Sequence, residues 1–300
     1  MVTATYQRAA ELPRLYESLL LQTWKDFEWV LIDDGSSDGT GELARAWGTD
    51  APFPIDYGWQ PNQGKHAAVN RGVERARGEF CAVMDSDDWY AAEALESMIA
   101  CWESIPVARR SEFANVEGLC ADPDGNVIGG RFPADVFDSN TFEVEFLHGV
   151  EGDKAGMYRR DVLRAFPFPE NLGWHVPPSL VWNRIAARWS SRFVNEIWGY
   201  KEYLAGGLTE RGPELRLRSA NARMIYWTEF AAMPRSMSRS VRLRANANSI
   251  RYSLWEHVPL RRVIGESASL GWTLAAVLFG LLLWLRDRLS TRMTGKGEDR

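Results

Sequence analysis

Short apolar runs alternate with helical patterns over the first hundred residues, and this alternation constrains the fold more than any other feature. The runs that have the length and composition of strands lie at 27–32, 55–59 and 79–84. The segments with helical spacing of apolar residues lie at 12–20, 41–47, 64–76 and 91–102. Such alternation predicts βαβ units, so we expect an α/β domain with a mainly parallel sheet flanked by helices.

Acidic clusters follow two of the predicted strands, where ligands bind in open α/β sheets. Asp33 and Asp34 follow the first run, and Asp85, Asp87 and Asp88 follow the third. Three carboxylates within four residues repel one another unless a cation or hydrogen-bond donors compensate, and a hard divalent ion does this. The structural alternative is an Asp-rich turn in which Asp88 caps the next helix.

A third polar segment, Pro61-Asn62-Gln63-Gly64-Lys65, precedes a predicted helix. A Gly-Lys pair at a helix start offers backbone N–H groups and a cation to a diphosphate. A carboxylate in the first acidic cluster can accept the ring N–H of a pyrimidine or ribose hydroxyls. The three segments, in this order on alternating strands, favour a nucleotide site over unrelated loops and helix starts.

These motifs together resemble the family-2 nucleotide-sugar glycosyltransferases of GT-A fold, which is related to the Rossmann fold. The segments that carry the resemblance are Thr5-Tyr6-Gln7-Arg8, 32–40, 60–65 with Asn70, and Met84-Asp85-Ser86-Asp87-Asp88-Trp89. A later stretch, from Gly152-Asp153-Lys154 to Ile185, is similar to one bacterial, polysaccharide-type branch of that family.

The resemblance implies roles for individual residues. The implied nucleotide-sugar-binding residues are Thr5, Tyr6, Arg8, Asp33, Asp34, Asn62, Gly64, Lys65 and Asp85. Asp85 and Asp87 are the implied ligands of Mg²⁺ or Mn²⁺. The implied reaction is an inverting displacement, in which a carboxylate deprotonates the acceptor hydroxyl while the diphosphate leaves.

The position expected for that carboxylate holds Pro178, immediately before Ser-Leu-Val-Trp-Asn-Arg. The similar branch has an acidic residue there, and proline cannot accept a proton. Glu170 is the first candidate for a relocated base, followed by Asp153 and by His175, whose side chain titrates in a useful range. The alternative is a catalytically impaired sugar-nucleotide-binding or scaffold subunit at the membrane.

An uncharged apolar segment at 268–285 interrupts the polar C-terminal third. As a helix its eighteen residues would measure about 27 Å, barely the thickness of a bilayer core. Trp272 and Trp284 lie near its ends, as in membrane-interface belts. We expect a transmembrane, re-entrant or interfacial segment, with a buried soluble helix as the alternative. Basic residues on both flanks leave the orientation open, and the basic tail by itself favours the cytoplasmic side of the cell membrane.

Composition excludes several classes of protein. The net charge of −5 argues against nucleic-acid binding, and a mean hydropathy of −0.31 excludes a polytopic membrane protein. Three cysteines without a CxxC pair indicate reduced thiols and no zinc site. The absence of GxGxxG after a strand excludes a dehydrogenase.

The expected partners are a UDP-, GDP- or dTDP-sugar donor, a saccharide or lipid-linked acceptor, and a membrane through 268–285. The predicted organisation places the nucleotide-sugar-binding half at 1–105 and the acceptor-side half of the same domain at 106–210. The rest of the chain is predicted to form a helical extension at 211–265, the apolar segment at 266–288 and a polar tail at 289–300.

Overall fold

The computed structural model describes residues 1–173, 175–202, 219–233 and 237–294. The chain forms two compact units. The first comprises Met1–Glu170 with Val181–Ala205, and the second comprises Asn171–Leu180 with Gly206–Arg300. The domain boundaries predicted from the sequence stay predictions.

The first unit contains the strands. They are β1 (Val2–Thr5), β2 (Trp29–Asp33), β3 (Ile55–Trp59), β4 (Phe80–Ala82), β5 (Trp89–Tyr90), β6 (Phe113–Ala121), β7 (Val136–Ser139), β8 (Lys154–Arg159) and β9 (Ser190–Tyr200). Its helices are α1 (Leu12–Leu20), α2 (Thr40–Asp50), α3 (Lys65–Arg75), α4 (Ala94–Glu103), α5 (Thr141–Phe146) and α6 (Arg160–Ala165), and α7 (Pro178–Ala186) begins in the second unit. A 3-10 helix spans Val107–Glu112.

The three strands β1, β2 and β3 form a parallel sheet in that order, as the alternating pattern predicts. Thr5 is paired with Asp33, and Asp33 with Trp59, so the three strands end at the same level. Every residue of β2 is buried, as is typical of a strand with helices on both faces. The first acidic cluster therefore follows the central strand of a parallel sheet.

The second sheet is mixed rather than parallel. Its order is β4-β8-β6-β9-β5, with β7 also paired to β9. Only β6 and β9 run parallel among these pairs, and a parallel bridge from Val2 to Val83 connects the two sheets. A tight turn follows β6, since the N–H of Gly125 donates to the carbonyl of Asp122. The connections after residue 105 also contain the helices α5, α6 and α7, but most of the strand pairs in this sheet are antiparallel.

Aromatic packing attaches the helices to these sheets. Tyr16 of α1 stacks on Trp47 of α2 at 4.4 Å between ring centroids, and both lie against Trp29 of β2. Trp182 of α7 stacks on Tyr158 of β8 at 4.8 Å. The Tyr158 hydroxyl donates to the buried Glu117 carboxylate at 2.6 Å. These contacts fix the helices whose ends border the loops described below.

The second unit is mainly helical in its described residues from 219 onward. Its longer elements are α8 (Ala220–Ala232), α9 (Arg239–Trp255), α10 (Leu260–Gly265) and α11 (Leu270–Thr294). The first part of the predicted helical extension, residues 211–218, lies outside the described residues. The apolar segment at 268–285 falls largely within α11, which by length and composition could cross a membrane from Leu270 to Ser290.

Candidate active site

Three carboxylates meet after β4. Asp85, Asp87 and Asp88 each offer an oxygen, and these oxygens lie within 4.8 Å of one another. Carboxylate oxygens are the ligands preferred by Mg²⁺ and Mn²⁺, so the donor set fits the divalent ion that the sequence predicts.

Each carboxylate of this cluster also faces a cation from another part of the chain. Lys65 Nζ lies 2.5 Å from Asp85 Oδ1, and an Arg8 guanidinium nitrogen lies 3.2 Å from Asp87 Oδ2. Two residues that the sequence predicts to bind the nucleotide sugar therefore contact the two predicted metal ligands.

The third cation is Lys201, which the sequence interpretation missed. Its Nζ lies 2.7 Å from Asp88, 3.5 Å from Asp153 and 3.8 Å from Asp85. Lys201 directly follows β9, and its N–H donates to the carbonyl of Ala121. Strand β9 continues to Tyr200, and this brings the next residue, Lys201, to the acidic cluster.

The cations determine the ionisation of the cluster. Burial opposes ionisation of Asp85, but the charges of Lys65 and Lys201 outweigh it and lower its pKa to about 2. Burial raises the pKa of Asp88 to about 7, with the neighbouring carboxylates adding to the rise and Lys201 opposing it. Burial alone would lower the pKa of Lys201, and the surrounding carboxylates raise it instead.

The expectation that Asp88 could cap the following helix is wrong. Helix α4 begins at Ala94, and its N-cap residue is Glu93, which makes no side-chain cap hydrogen bond. The short strand β5 lies between Asp88 and that helix, so Asp88 is too far along the chain to reach the first helical N–H groups. Its carboxylate binds Lys201 instead.

Arg14 binds the backbone of the acidic cluster. One of its nitrogens donates to the carbonyl of Asp87 at 2.7 Å, and another lies 2.5 Å from the Glu202 carboxylate. Its guanidinium lies 3.9 Å from the ring centroid of Trp89, which stacks on Tyr200. Two consecutive residues after β9 therefore stabilise the acidic loop. Lys201 pairs with Asp88 directly, and Glu202 pairs with Arg14, which binds the Asp87 carbonyl.

The first acidic cluster is buried and holds neighbouring loops. Asp33 accepts hydrogen bonds from the Ser36 N–H at 2.8 Å and the Tyr57 hydroxyl at 2.9 Å. Burial and this contact raise the pKa of Tyr57 to about 12. Gly35 has φ of 92°, and a Cβ there would lie 2.9 Å from the backbone nitrogen of Asn62. Glycine is required at this close approach.

Asp34 organises the segment before α3. Its carboxylate accepts from Gln60 Nε2 at 2.7 Å and from the N–H groups of Gln63 and Gly64 at 3.0 and 2.8 Å. The Gly64 N–H is therefore directed to Asp34, and Gly64 itself has φ of 98° immediately before α3. The Asp-Asp-Gly and Asn-Gln-Gly-Lys motifs thus form one hydrogen-bonded structure.

Three buried polar atoms beside this structure have no hydrogen-bond partner among the residues described. They are Thr5 Oγ1, Asn62 Oδ1 and His66 Nε2. Buried polar atoms normally have partners, so unsatisfied ones mark a place where a ligand or water binds. Tyr6 is adjacent in sequence and 46% exposed, which leaves its ring accessible.

His66 is a further residue that the sequence interpretation missed. Burial lowers the pKa of its imidazole, although the charges of Glu170 and Asp34 act in the opposite direction. No sequence signal identified it, because a single histidine in a helix is ordinarily a packing residue.

Comparisons with known proteins agree with this geometry. The family model described as glycosyl transferase family 2 matches residues 1–165, which is more than half of the chain. The chain belongs to this family. EpsH of Bacillus subtilis, named as a candidate glycosyltransferase, is 36% identical over 100 residues, which cover 33% of this chain and 28% of EpsH. The chain thus aligns with less than a third of that relative's length.

Solved structures show the fold of this family-2 chain. S. aureus TarS 1–349 in complex with UDP-GlcNAc has a TM-score of 0.61 and 18% identity, covering 96% of this chain and 91% of that one. The mannosyltransferase PcManGT from Pyrobaculum calidifontis, in complex with GDP-Man and Mn²⁺, has a TM-score of 0.57 and 16% identity, covering 98% and 83%. The GT-A fold predicted from the motifs is confirmed.

Asp153 lies on a closely packed loop of this family-2 domain. Gly129 and Gly152 both have positive φ, and a Cβ on either would collide with the backbone of the other's segment. Lys154 Nζ donates to the carbonyls of residues 150, 151 and 152. The Gly-Asp-Lys motif therefore directs its aspartate to Lys201 and uses its lysine to close the loop.

The other predicted bases are Glu170 and His175. Glu170 Oε1 accepts from Asn70 Nδ2 at 2.7 Å, and Asn70 also exchanges hydrogen bonds with the backbone of Phe168. His175 is half-buried and lies in residues 171–180, which group with the second unit. Pro178 is the first residue of α7, a position where proline is favoured because its missing N–H is not needed.

Proposed function

We propose that this family-2 protein transfers a sugar from a nucleotide-sugar donor to a saccharide or lipid-linked acceptor, in the synthesis of a cell-surface polysaccharide or glycan. The observation that carries the proposal is the contact of Asp85, Asp87 and Asp88 with three cations, two of which come from the predicted nucleotide-binding segments. Separate strand ends thus supply both the carboxylates for a metal and the cations for a diphosphate.

The donor is a UDP-, GDP- or dTDP-sugar. The unsatisfied atoms of Thr5, Asn62 and His66 lie beside the Asp33 and Asp34 loops and offer hydrogen-bonding groups for a nucleoside. Two proteins of the same fold bind UDP-GlcNAc and GDP-Man, which supports a nucleotide-sugar donor.

Mg²⁺ or Mn²⁺ would be held by Asp85 and Asp87, whose side chains are more exposed than that of Asp88. When bound, the ion supplies Lewis-acid stabilisation of the charge on the diphosphate leaving group. Arg8 and Lys65 are paired with these carboxylates, and they are the cations that would bind the phosphate oxygens of the donor.

Asp153 is the base that we propose for an inverting displacement. Its carboxylate is about half exposed and lies 3.5 Å from Lys201, the ammonium that also approaches Asp85. It would remove the proton from the acceptor hydroxyl as that oxygen bonds to the anomeric carbon and the carbon–phosphate oxygen bond breaks. Glu170, ranked first from sequence, is already held by Asn70.

The site of action that we propose is the cytoplasmic side of the cell membrane, reached through the apolar segment of α11. A lipid-linked acceptor would be met there. The basic residues after the segment favour this side.

A catalytically impaired sugar-nucleotide-binding or scaffold subunit is the second candidate function. Pro178 favours it, because the acidic residue of the similar branch is missing at the start of α7. Such a subunit would bind the donor without turning it over.

A donor panel tests the proposed function. We expect purified full-length protein with Mn²⁺ to release nucleoside diphosphate from at least one UDP-, GDP- or dTDP-sugar, by hydrolysis or transfer. Release would be measured by a coupled assay, and binding by thermal shift with the same donors. Binding without release would support the impaired subunit, and binding of none of the donors would refute both.

The substitution Lys201→Met should tighten Mn²⁺ binding to donor-free protein about tenfold, or about 1.4 kcal/mol. The reason is that a cation among Asp85, Asp88 and Asp153 repels a second cation. Titration followed by electron paramagnetic resonance measures the free ion directly.

Lys25→Met is the matched control for that measurement, since Lys25 is an exposed lysine of the same unit whose ammonium donates to the Leu20 carbonyl and not to a carboxylate of the acidic cluster. The double variant Lys201→Met with Asp88→Asn should return toward the wild-type affinity. An unchanged or weaker affinity in the single variant would contradict the repulsion.

A further inference from the structure

Helix α11 carries a continuous leucine face. The leucines on it are Leu270, Leu274, Leu278, Leu282, Leu285 and Leu289, and they are between 47% and 64% exposed. Steps of three and four residues place all six on one side of a helix. We call these six residues the leucine face.

The opposite side of α11 is packed against α9. The Thr273 hydroxyl donates to Asn246 Oδ1 at 2.9 Å, and Gly280 is so close to α9 that a Cβ would lie 2.7 Å from Ile250. Further along, Arg251 makes two hydrogen bonds to the buried Asp287 carboxylate. These contacts extend from Thr273 to Asp287 of α11, a rise of about 21 Å, which is most of the length of its apolar segment.

Helix α9 is too polar to enter hydrocarbon beside α11. Its sequence, Arg239-Ser-Val-Arg-Leu-Arg-Ala-Asn-Ala-Asn-Ser-Ile-Arg-Tyr-Ser-Leu-Trp255, contains four arginines and two asparagines. Arg244 is exposed, so its charge is not enclosed by the helical unit. A spanning α11 would either draw this helix into the membrane or lose the Thr273 and Asp287 contacts, and both outcomes are unfavourable.

The charges bordering the leucine face are positive. At 100° per residue, Arg286 and Arg288 lie on either side of it, each within about a quarter turn of its centre. Both side chains are exposed. Arg286 also lies 3.6 Å from Asp287, but Arg251 already pairs with that carboxylate. An apolar face bordered by arginines matches the boundary between acyl chains and anionic headgroups.

We propose that α11 lies in the plane of an anionic lipid surface and does not cross it. The leucine face contacts the acyl chains, Arg286 and Arg288 contact the headgroups, and α9 stays on the aqueous side. This inference rests on the proposed membrane attachment and specifies its geometry.

Vesicle flotation tests the contact. Full-length protein should float with vesicles of phosphatidylcholine and phosphatidylglycerol at 7:3, and more weakly with phosphatidylcholine alone. Leu278→Glu with Leu282→Glu should lower the lipid-bound to free ratio at least tenfold on the mixed vesicles. Arg286→Gln with Arg288→Gln should remove the preference for phosphatidylglycerol and keep the binding to phosphatidylcholine.

The matched control is Leu21→Glu with Val107→Glu, which adds the same two charges at positions 68% and 77% exposed in the first unit. This control should float like the wild type. Equal loss in both double variants, or no loss in either, would overturn the proposal.

Depth measurements separate an in-plane helix from a spanning one. Nitroxide labels on Leu270→Cys, Leu278→Cys and Leu285→Cys, in a Cys101→Ala background, should report the same shallow depth by their oxygen and nickel-chelate accessibilities. A deep maximum at 278 would show a span. A lipid-independent dimer by light scattering, lost in the Leu278→Glu, Leu282→Glu variant, would show that a second copy covers the face instead.

Donor turnover is measured in solution on the same preparations. The Leu278→Glu, Leu282→Glu variant should release nucleoside diphosphate like the wild type, which also reports that it folds. Wild-type protein that releases nucleoside diphosphate but does not float would contradict this inference alone. Wild-type protein that floats but releases no nucleoside diphosphate from any donor would contradict the proposed function alone.

Discussion

Replacing Asp87 by asparagine should lower the release of nucleoside diphosphate about 1,000-fold, equivalent to about 4 kcal/mol of transition-state stabilisation. Asp87 is one of two carboxylates proposed to hold the divalent ion, and an amide of the same shape lacks the charge. Its backbone stays in place, because Arg14 binds the carbonyl and not the side chain. The assay is Mn²⁺-dependent release from the best donor of the panel.

The control for this variant is Asp124→Asn, which removes an equivalent charge from an exposed turn of the same unit. It should keep the wild-type rate. Mn²⁺ binding should weaken in the Asp87 variant and not in the control. An Asp87→Asn protein that retains more than a tenth of the wild-type rate would contradict the metal-ligand assignment.

Replacing Asp153 by asparagine should lower kcat between about 100-fold and 10,000-fold, the range typical of a general base. KM for the donor should change little, because Asp153 is proposed to act on the acceptor oxygen and not on the nucleotide. Mn²⁺ affinity should also stay close to that of the wild type. Steady-state release measured over donor and metal concentration gives all three quantities.

Glu170→Gln and His175→Gln are the comparison variants, since both residues are rival bases from the sequence. Their kcat should stay within about threefold of the wild type, well below the effect of losing a general base. A near-normal Asp153→Asn enzyme together with a large loss in either rival would assign the base to that rival. A loss confined to donor KM would make Asp153 a binding residue.

Much of the nucleotide-binding half could be predicted because its pattern is local. Strand β3 has the predicted bounds, and α1 and α3 begin and end within one residue of them. Strand-end loops of a parallel sheet share one edge, so the order of the motifs along the chain was enough to place them together. The mixed second sheet was harder, because it pairs strands that are far apart in the chain, such as β4 with β8 and β5 with β9.

The ion pairs of the site could not be predicted in the same way. Lys201 is more than a hundred residues from Asp88 in the chain, and no periodicity links a lysine after one strand to a carboxylate after another. The Asp88 carboxylate could equally have capped a helix, since local sequence offers both roles. Only the pairing of β5 with β9 brings Tyr200, and so the next residue, to the acidic loop.

The same contrast separates the two sides of α11. The sequence shows that this helix is apolar, but it does not show which side is exposed. The exposed leucines are interspersed along the chain with Thr273, Gly280 and Asp287, which face α9. Packing against α9 determines which side of α11 is exposed to solvent. The ion pair of Arg251 with the buried Asp287 and the close contact at Gly280 fix the rotation of α11 about its axis.

By itself, the sequence determined the family-2 motifs, the parallel strand-end architecture of the nucleotide half and the presence of an apolar C-terminal helix. These follow from residues close together in the chain, where strand length, turn chemistry and helical spacing act. The tertiary structure decided which cation faces each carboxylate, brought Asp153 to the cluster, and left the leucine face of α11 exposed. Those outcomes depend on contacts between distant segments, whose free energies arise only when the folded chain brings the segments together.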